Sequence, residues 1–471
     1  MIGAFKTLRR RFNLCVLPNT VFLLCLMSVD SIAIAQIVDQ GISAAGNTTR
    51  SFQDASIVRD SQLNRPLDLI HDFYPSIEVE IADHDNVRRR SDFDEQDVRW
   101  TISPELAYRT SLGRHQFYAA YNGTFVFHQD LDQEDAESNV LRANLGLDLT
   151  RRWDLDLFAS VGESFEERGI SGSRGFDNFV NAGIDSGPEQ IDFRRYGADL
   201  IFGRKIGIIT GVLGFEHTET DFDTDDLIAG LDPQGRDRET DSLHLDLEWR
   251  FAARTSVFGR IEYTDTDFQS QFSDLDSEQT NFLIGLRAKP TARLSGVVGL
   301  GEADRDFQVN NREDFDSEIY YANLNYAITP FSNIKLALSR TIEEPGDVNS
   351  DFFVSDLIGA SWRHAITPRL DFDIYGKIIE DQFNSGREDD FSDWGLGLDY
   401  HWRNWLSIGL YYGETERDSS LQGIDFEDTF IGLRLRSDLR SFLRGRYRVQ
   451  REPESFGRSS RSHATKPFTE Q

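Results

Sequence analysis

Alternation of polar and apolar residues, repeated in segment after segment, is the feature that most constrains how this chain can fold. The stretch Asp399 to Glu414 reads D-Y-H-W-R-N-W-L-S-I-G-L-Y-Y-G-E, with two alternating segments on either side of a tight turn. Tyr400 and Trp402 share one face of the first segment, and Ile408 and Leu410 share one face of the second. A period of two on both sides of a short turn predicts a β-hairpin with one apolar face.

Short turns and long acidic connections alternate along the chain. The predicted turns fall at Leu112–Arg114, Arg151–Trp153, Arg204–Lys205, Ala253–Arg254, Thr291–Arg293, Thr329–Asn333, Thr367–Arg369, Arg403–Asn404 and Asp438–Leu439. The longer connections, rich in Asp, Glu, Ser and Gly, are Asp130–Ser138, Ser171–Gln190, Asp221–Asp241, Asp304–Asp316, Asn384–Asp390 and Asp418–Asp425. Short turns at one end and long loops at the other are typical of an outer-membrane barrel, and a soluble β-sandwich has no reason for this arrangement.

The lengths of the alternating segments favour the same fold. They run to about 9 to 14 residues, the length that a tilted strand needs to cross a membrane, whereas sandwich strands are commonly five or six residues long. The sequence therefore predicts an all-β protein, a transmembrane antiparallel up-and-down β-barrel of about 18–20 strands. A count from Phe73 gives nineteen segments, the last being Arg440 to Gln450. Bacterial barrels have even strand numbers, so either the count is off by one, or residues 452–471 supply a weak closing strand, or a final strand is missing.

The first 35 residues have the order of a secretory signal peptide. Basic residues precede an apolar stretch, and Ala33-Ile34-Ala35 precedes Gln36, which predicts cleavage after Ala35. Both cysteines lie within this segment. The predicted organisation is a signal peptide at 1–35, a flexible periplasmic segment at 36–71, the barrel at 72–451 and a polar tail or degenerate last strand at 452–471.

Composition excludes several classes of protein. The formal net charge of the chain is -30, and nucleic acid is an improbable partner because binding it requires clustered cations. The mean hydropathy is -0.46, and beyond the signal peptide no apolar run reaches the roughly 20 residues of a membrane-spanning helix. The histidines are scattered and show no metal-ligand spacing or catalytic triad, so we expect no enzyme activity, no cofactor and no metal site.

A family resemblance adds to this interpretation. The segment Tyr74 to Val87, Y-P-S-I-E-V-E-I-A-D-H-D-N-V, followed by many hairpins, resembles the opening of a putative beta-barrel porin family whose genes are associated with exopolysaccharide and capsule clusters. The likeness spans roughly Asp72 to Arg448. It implies an outer-membrane barrel without catalytic residues and with a role in envelope transport or polysaccharide export.

Selectivity of such a barrel would depend on its lumen and its rims. Inward parity predicts a lumen cluster of arginines at positions Arg434, Arg436, Arg444, Arg446 and Arg448. The opposing lumen acids are Asp154, Asp156, Asp246, Glu248, Asp371 and Asp373, with Glu78 and Glu80 also facing inward. These charges either create a transverse field or pair and fill the lumen, and the sequence leaves both open. Trp153, Tyr400, Trp402 and Trp405 are expected in an aromatic girdle near the periplasmic headgroups.

Two functions remain open at this stage. The first is a porin-like channel for diffusion or export of polar or anionic solutes, with an anionic sugar polymer as one passenger. The second is a non-conducting structural or assembly component of polysaccharide machinery. The longest loops, Ser171–Gln190 and Asp221–Asp241, are the candidates to fold into the lumen. The expected surroundings are outer-membrane lipid and lipopolysaccharide, with polysaccharide export components as possible partners.

Overall fold

The computed structural model describes residues 71–91, 94–166, 168–169, 187–188, 190–203, 208–223, 237–269, 275–308, 312, 314–344 and 350–438. Within these ranges it contains eighteen β-strands and one 3-10 helix, Asp132–Glu134. The strands are β1 His71–His84, β2 Asp97–Leu112, β3 His115–His128, β4 Ala136–Asp148, β5 Trp153–Phe165, β6 Gln190–Phe202, β7 Ile209–Asp223, β8 Arg238–Ala252, β9 Thr255–Phe268, β10 Ser277–Thr291, β11 Leu294–Phe307, β12 Phe315–Thr329, β13 Ser332–Glu343, β14 Phe353–Thr367, β15 Leu370–Phe383, β16 Glu388–Arg403, β17 Leu406–Ser419 and β18 Phe426–Asp438.

Every strand pairs antiparallel with its neighbours in sequence, and β18 pairs with β1 to close the sheet. The closing register runs from Ser76 opposite Asp438 to His84 opposite Phe430. The predicted all-β up-and-down barrel is therefore confirmed. Eighteen strands are described, one fewer than the nineteen alternating segments, because β18 and β1 close the barrel without Arg440 to Gln450, which lies outside the described residues.

Threonine hydroxyls build several of the short turns. Thr291, Thr329 and Thr367 each accept a hydrogen bond at the side-chain oxygen from the backbone N–H two residues later, at 3.2 Å. Thr150 does the same for the turn between β4 and β5. Such local bonds satisfy backbone donors that have no partner in the sheet and favour a tight turn. We call this end of the barrel the turn end and the opposite end the loop end.

The strands reach further into the acidic segments than the sequence suggests. β7 continues to Asp223 and β8 begins at Arg238, so the ends of the predicted loop Asp221–Asp241 are strand residues. β11 likewise continues to Phe307 and β12 begins at Phe315. Many acidic side chains at the loop end are thus held on strands, where the backbone fixes the direction in which each one points.

Large apolar side chains cover the outside of the barrel, while a small buried apolar cluster is formed by Leu283, Ala303, Phe307, Ile319, Ile342 and Phe352. This arrangement follows from the period of two, since successive side chains point to opposite faces of a strand. Members of this outer apolar face include Leu141, Leu157, Leu213, Phe215, Leu243, Leu245, Leu247, Phe282, Ile284, Leu300, Leu336, Leu338, Ile358, Ile374, Leu398, Leu410 and Leu433. In the part of the chain that the structure describes, no helix is long and apolar enough to cross a membrane.

The predicted signal peptide, its cleavage site at Ala33, Ala35 and Gln36, and the predicted C-terminal tail lie outside the described residues. So does the predicted periplasmic segment except for His71, which begins β1. These boundaries stay predictions.

Two substitutions on β4 test which face of the barrel contacts lipid. Leu141 is 51% exposed on the outer face, and Asn144 is exposed on the inner face of the same strand. We expect Leu141→Arg to destabilise the folded barrel in lipid vesicles by about 2–4 kcal/mol, because a cation near the bilayer midplane is costly. Asn144→Arg should have little effect on the free energy of unfolding, measured by urea titration. Equal destabilisation by the two variants would contradict the assignment of the faces.

Candidate functional site

The inner wall at the turn end carries pairs of opposite charge on neighbouring strands. Arg434 on β18 donates to Asp399 on β16 at 2.9 Å and lies 3.8 Å from Glu80 on β1. Arg436 forms an ion pair with Glu78, also on β1. The two described members of the predicted arginine cluster are therefore neutralised by adjacent carboxylates. Arg444, Arg446 and Arg448 lie outside the described residues.

The predicted opposing acids also face inward, and several have a basic partner nearby. Asp246 on β8 pairs with Arg260 at 2.8 Å, and Glu248 pairs with Arg287 at 3.1 Å. On β15, Asp371 accepts from Arg363 and interacts with His401, each at 3.0 Å. Asp154 and Asp156 are buried on the inner face of β5, and Asp373 lies over Gly397.

These contacts differ from the expected arrangement, in which arginines on one side of the lumen face carboxylates on the opposite side. Glu78 and Glu80 sit beside the arginines in the register of β1 with β18, and Asp371 and Asp373 are only three strands from β18. The charge pairs join adjacent strands or reach over one intervening strand, as in Arg434–Asp399 and Arg287–Glu248. A transverse field across the lumen stays a prediction.

Glycines make the longest of these pairs possible. Gly409 lies between Asp399 and Arg434 in the cross-strand register. A Cβ on Gly409 would come within 2.4 Å of the Asp399 carboxylate, so any larger residue would push that side chain away. Gly214 occupies the same kind of position between Asp199 and His244, whose Oδ1 and Nε2 are 3.4 Å apart. Each glycine lets two charged groups reach across an intervening strand.

Exposure of the inner charges changes from one end of the barrel to the other. At the turn end the side chains of Arg436 and Arg363 are 58% and 52% exposed. At the loop end Arg417 on β17 and Asp428 on β18 are 3% and 1% exposed. Exposed inner charges are thus present near the turn end beside buried ones such as Asp154, Lys335 and Asp371, and the loop end is closely packed at Arg417 and Asp428.

A network of charged side chains links four segments at the loop end. We call Arg88, Arg89, Glu134, Arg168 and Asp428 the loop-end network. Arg168, which follows β5, donates two hydrogen bonds to Glu134 at 2.6 and 2.7 Å. Arg88 from the β1–β2 connection lies 3.3 Å from the same carboxylate. Arg89 donates to the backbone oxygen of Arg168 at 2.6 Å and lies 3.7 Å from Asp428.

These contacts require the segment after β5 to leave the wall and cross the mouth of the barrel. β5 and β18 are five strand spacings apart, about 24 Å along the wall at 4.8 Å per strand. Gly169 nevertheless lies against Phe426 at the start of β18, where an added Cβ would come within 2.4 Å of the ring. The predicted inward loop Ser171–Gln190 is outside the described residues up to position 186, but the segment that leads into it folds inward.

Two backbone conformations show how tightly this crossing is held. Gly169 has a φ of +79°, and Arg89, which is not a glycine, has a φ of +49°. A left-handed conformation is costly for an arginine and persists only when its surroundings hold it in place. Its guanidinium lies 5.6 Å from the centroid of the Phe426 ring and bonds Arg168, which supplies that restraint. No alternating pattern runs through these connections, so this network could not be predicted from the periodicity of the chain.

The aromatic residues predicted for the girdle lie at the turn end. Trp153, Tyr400 and Trp402 are exposed on the outer face, and Trp153 packs against Phe202 with centroids 5.0 Å apart. Trp405 is in the β16–β17 turn, where its carbonyl oxygen accepts a hydrogen bond from Asp438. Contact of these rings with lipid headgroups stays a prediction. Trp249, Phe251 and Phe331, which the sequence analysis did not assign to the girdle, are exposed at the same end.

Carboxylates form rows on the outer face at the loop end. Glu239 stands directly opposite both Glu219 and Asp267 in the register, and Glu278 stands opposite both Asp265 and Asp306. The outer acids of this band are Glu219, Glu239, Asp241, Asp265, Asp267, Glu278, Glu302, Asp304, Asp306, Asp316 and Glu318. Among the described residues no group of three or more such side chains has an arrangement that would hold a metal ion.

A closed eighteen-stranded barrel with an apolar exterior and a polar, charge-paired interior is the architecture of an outer-membrane channel. Residues 72–439 match the family model "Putative beta-barrel porin 2". The chain belongs to this family. It is accordingly an outer-membrane porin-type barrel and not an enzyme.

Solved structures of other outer-membrane channels show distant similarity. OccK2 (OpdF) of Pseudomonas aeruginosa, solved with glucuronate, is 13% identical, with a TM-score of 0.43 over 78% of this chain and 98% of that one. OccAB4 of Acinetobacter baumannii is 11% identical, with a TM-score of 0.44 over 79% of this chain and 100% of that one. OpdK of Pseudomonas aeruginosa, solved with vanillate, is 14% identical with a TM-score of 0.43, covering 78% of this chain and 98% of that chain. No curated protein matches the chain.

Loss of the Glu134 charge should release the segment that crosses the mouth. Glu134→Gln removes the buried carboxylate that Arg168 bonds twice and that Arg88 contacts in addition to Glu95, and breaking a buried ion pair in this way costs about 3–5 kcal/mol. We expect trypsin to cleave the folded variant after Arg88, Arg89 and Arg168 faster than the parent protein, with sites mapped by mass spectrometry. Glu302→Gln, an exposed outer carboxylate at the same end, is the matched control and should leave the rates unchanged. Equal protection of Glu134→Gln would contradict the restraining role of the network.

Proposed function

We propose that the protein is a porin-like channel for polar solutes, whose narrowest part is the loop end. The observation that carries this proposal is the packed mouth at the loop end. Arg417 and Asp428 are almost fully buried there and the segment after β5 crosses the mouth, whereas Arg363 and Arg436 near the turn end are more than half exposed. A solute entering from the turn end therefore meets a wide polar vestibule before it reaches the packed mouth.

The width of the barrel supports passage of solutes. Barrels of 16 to 18 strands leave an aqueous channel unless loops or side chains block it. Several inner aromatic rings lie flat on the wall over glycines, as Tyr375 does over Gly395 and Phe158 does over Gly197. Rings held in this way occupy less of the lumen than rings that project into it.

Paired charges favour weak selection by charge in the turn half. Arg434 and Arg436 are each beside a carboxylate of β1, and Arg260 and Arg287 are beside Asp246 and Glu248. A solute that carries several hydroxyl or carboxylate groups can exchange hydrogen bonds with both signs of charge. We include sugars and anionic sugar polymers among the proposed passengers, which is the chemistry that a role in exopolysaccharide export requires. Lipid and lipopolysaccharide are the proposed surroundings of the outer face.

The packed loop end also favours a second function. If the loop-end network seals the mouth, the barrel would be a non-conducting envelope component that acts through its acidic loops and outer acidic band. Glu134, with a side chain 2% exposed and shared by two arginines, supports this alternative because such a contact resists opening. Conductance distinguishes the two functions.

Ion conductance in a planar bilayer is the test of the channel. We expect the refolded protein to give steady single-channel currents, and we expect Glu134→Gln to raise the conductance by releasing the mouth. A folded barrel that stays sealed, as parent and as variant, would contradict the channel and support the non-conducting function.

Selectivity of the channel should respond to Arg434. Arg434→Ser removes one cation and leaves Asp399 and Glu80 without it, so the reversal potential in a KCl gradient should shift toward the equilibrium potential of K⁺. Arg340→Ser is the matched control, because Arg340 pairs with Asp356 on the outer face of β13 and β14. Equal shifts in the two variants would show that Arg434 does not line the conducting path.

A further inference from the structure

Two rows on the inner wall have the same order of residues, an aromatic, two glycines and a second aromatic. In the first row Phe258, Gly285, Gly299 and Tyr321 stand opposite one another on β9, β10, β11 and β12. In the second row Tyr375, Gly395, Gly413 and Phe430 do so on β15, β16, β17 and β18. We call these the first and second aromatic rows.

In each row the aromatic rings cover the glycines, with atoms near the tip of the ring closest to the glycine backbone. A Cβ on Gly285 would come within 2.2 Å of the Phe258 ring, and one on Gly299 within 2.5 Å of the Tyr321 ring. The Phe258 and Tyr321 rings thereby meet above the glycine pair, with centroids 6.3 Å apart, although three strand spacings separate β9 from β12.

The second aromatic row repeats this arrangement. Added Cβ atoms on Gly395 and Gly413 would come within 2.7 and 2.4 Å of the Tyr375 and Phe430 rings. Tyr411 extends the surface, since its ring covers Gly432 and lies 6.1 Å from that of Phe430. A ring that rests on a glycine backbone with one face can present its other face to the lumen.

The four rings of the two rows are partly exposed, and Phe258 and Tyr321 also pack against a buried apolar cluster that includes Leu283 and Ile319. Both rows cross the middle of their strands, next to ion pairs. Arg287 and Glu248 pair beside Phe258, with the Arg287 guanidinium 5.9 Å from the Phe258 centroid. Lys377 and Asp393 pair at 3.1 Å beside Tyr375.

Flat aromatic surfaces bordered by charged hydrogen-bonding groups match the chemistry of a pyranose ring. Such a sugar has a face of C–H groups, which pack against the electron-rich face of an aromatic ring, and a rim of hydroxyls, which both donate and accept hydrogen bonds. Binding sites for small molecules combine apolar surface with a few placed polar groups in the same way. An inorganic ion would use only the charges and leave the aromatic surfaces without a role.

We propose that the two aromatic rows are binding subsites for hexopyranose units on the inner wall. The rings stack on the sugar, and the exposed ion pair Arg287–Glu248 beside the first aromatic row bonds its hydroxyls. This inference rests on the proposed function, because it identifies sugar chains as the class of polar solute that the channel passes. Subsites on two separate parts of the wall suit an oligosaccharide better than a single small sugar.

The test measures binding of maltohexaose, a neutral glucose oligomer, by isothermal titration calorimetry with the folded protein in detergent. Sorbitol is the control probe, because it carries hydroxyls but has no ring to stack. We expect saturable binding of maltohexaose and none of sorbitol. Saturation-transfer NMR should show transfer from aromatic protons of the protein to the sugar ring protons. Absence of maltohexaose binding, or equal binding of sorbitol, would overturn the proposal.

Variants of the ring residues separate stacking from simple support of the wall. Tyr321→Leu and Tyr375→Leu keep apolar bulk but remove the flat ring, and each should weaken maltohexaose binding about twofold to tenfold. Tyr375→Phe keeps the ring and loses only the 3.2 Å hydrogen bond to Asp393, so it should bind like the parent. Tyr326→Leu, which removes an exposed ring on the outer face, is the control for general effects on the barrel. Unchanged affinity in both ring variants would overturn the assignment.

The outcome of the maltohexaose binding test does not depend on whether the barrel conducts ions. Folding of each variant is checked by its heat-modifiable mobility on gels, and if Tyr375→Leu does not fold, Tyr321→Leu and the NMR measurement still decide the question. If the barrel binds maltohexaose in detergent but does not conduct in a bilayer, the proposed channel function is wrong and the proposed sugar subsites are retained. A conducting barrel without binding would retain the channel and reject the subsites.

Discussion

The pairing of β1 with β18 is the constraint on which the rest of the structure depends. Lipid offers no hydrogen bonds to a strand edge, so a spanning sheet is stable only when every strand has a partner on both sides. The register from Ser76–Asp438 to His84–Phe430 supplies that partner for the first and last described strands. It also brings Glu78 and Glu80 beside Arg436 and Arg434, so closure of the backbone and neutralisation of the lumen charges are achieved by the same pair of strands.

Much of the fold could be predicted from the sequence because one property of the backbone determines it. Successive side chains of a strand point to opposite faces, so residues such as Leu243, His244 and Leu245 reveal which positions face out and which face in. Turns were found for a related reason, since Thr-Pro-Arg at 367–369 interrupts the alternation with residues that favour a tight turn. The strand ends at the loop end were harder to predict. Where both faces are polar, as in Arg238 to Ser242, alternation in hydropathy is lost although the strand continues.

The contacts of the candidate site could be predicted only in part. The alternation of the strand placed Arg434 in the lumen. Its partner Asp399, however, is two strands away, and the contact passes over Gly409. This contact therefore depends on the register of three strands. The closing partner of β18 was likewise invisible to a count of alternating segments, whose nineteenth member lies outside the described residues. Arg89, Glu134 and Arg168 are in connections without periodicity, and they are brought together only because the segment after β5 crosses the mouth. Register and loop paths are long-range properties that a local pattern does not contain.

Glycine serves different purposes at the mouth and on the inner wall. At Gly169 it permits a left-handed turn and a close approach to Phe426, and so it helps pack the mouth. Near the middle of the strands, at Gly285, Gly299, Gly395 and Gly413, it leaves space that neighbouring rings cover. An interior glycine in a strand is unfavourable for the strand itself, since it loses more entropy and packs nothing. Covering it with an aromatic ring recovers packing for the wall. The same contact leaves a flat apolar surface inside a channel otherwise lined by charges, and this surface distinguishes the lumen from a purely electrostatic filter.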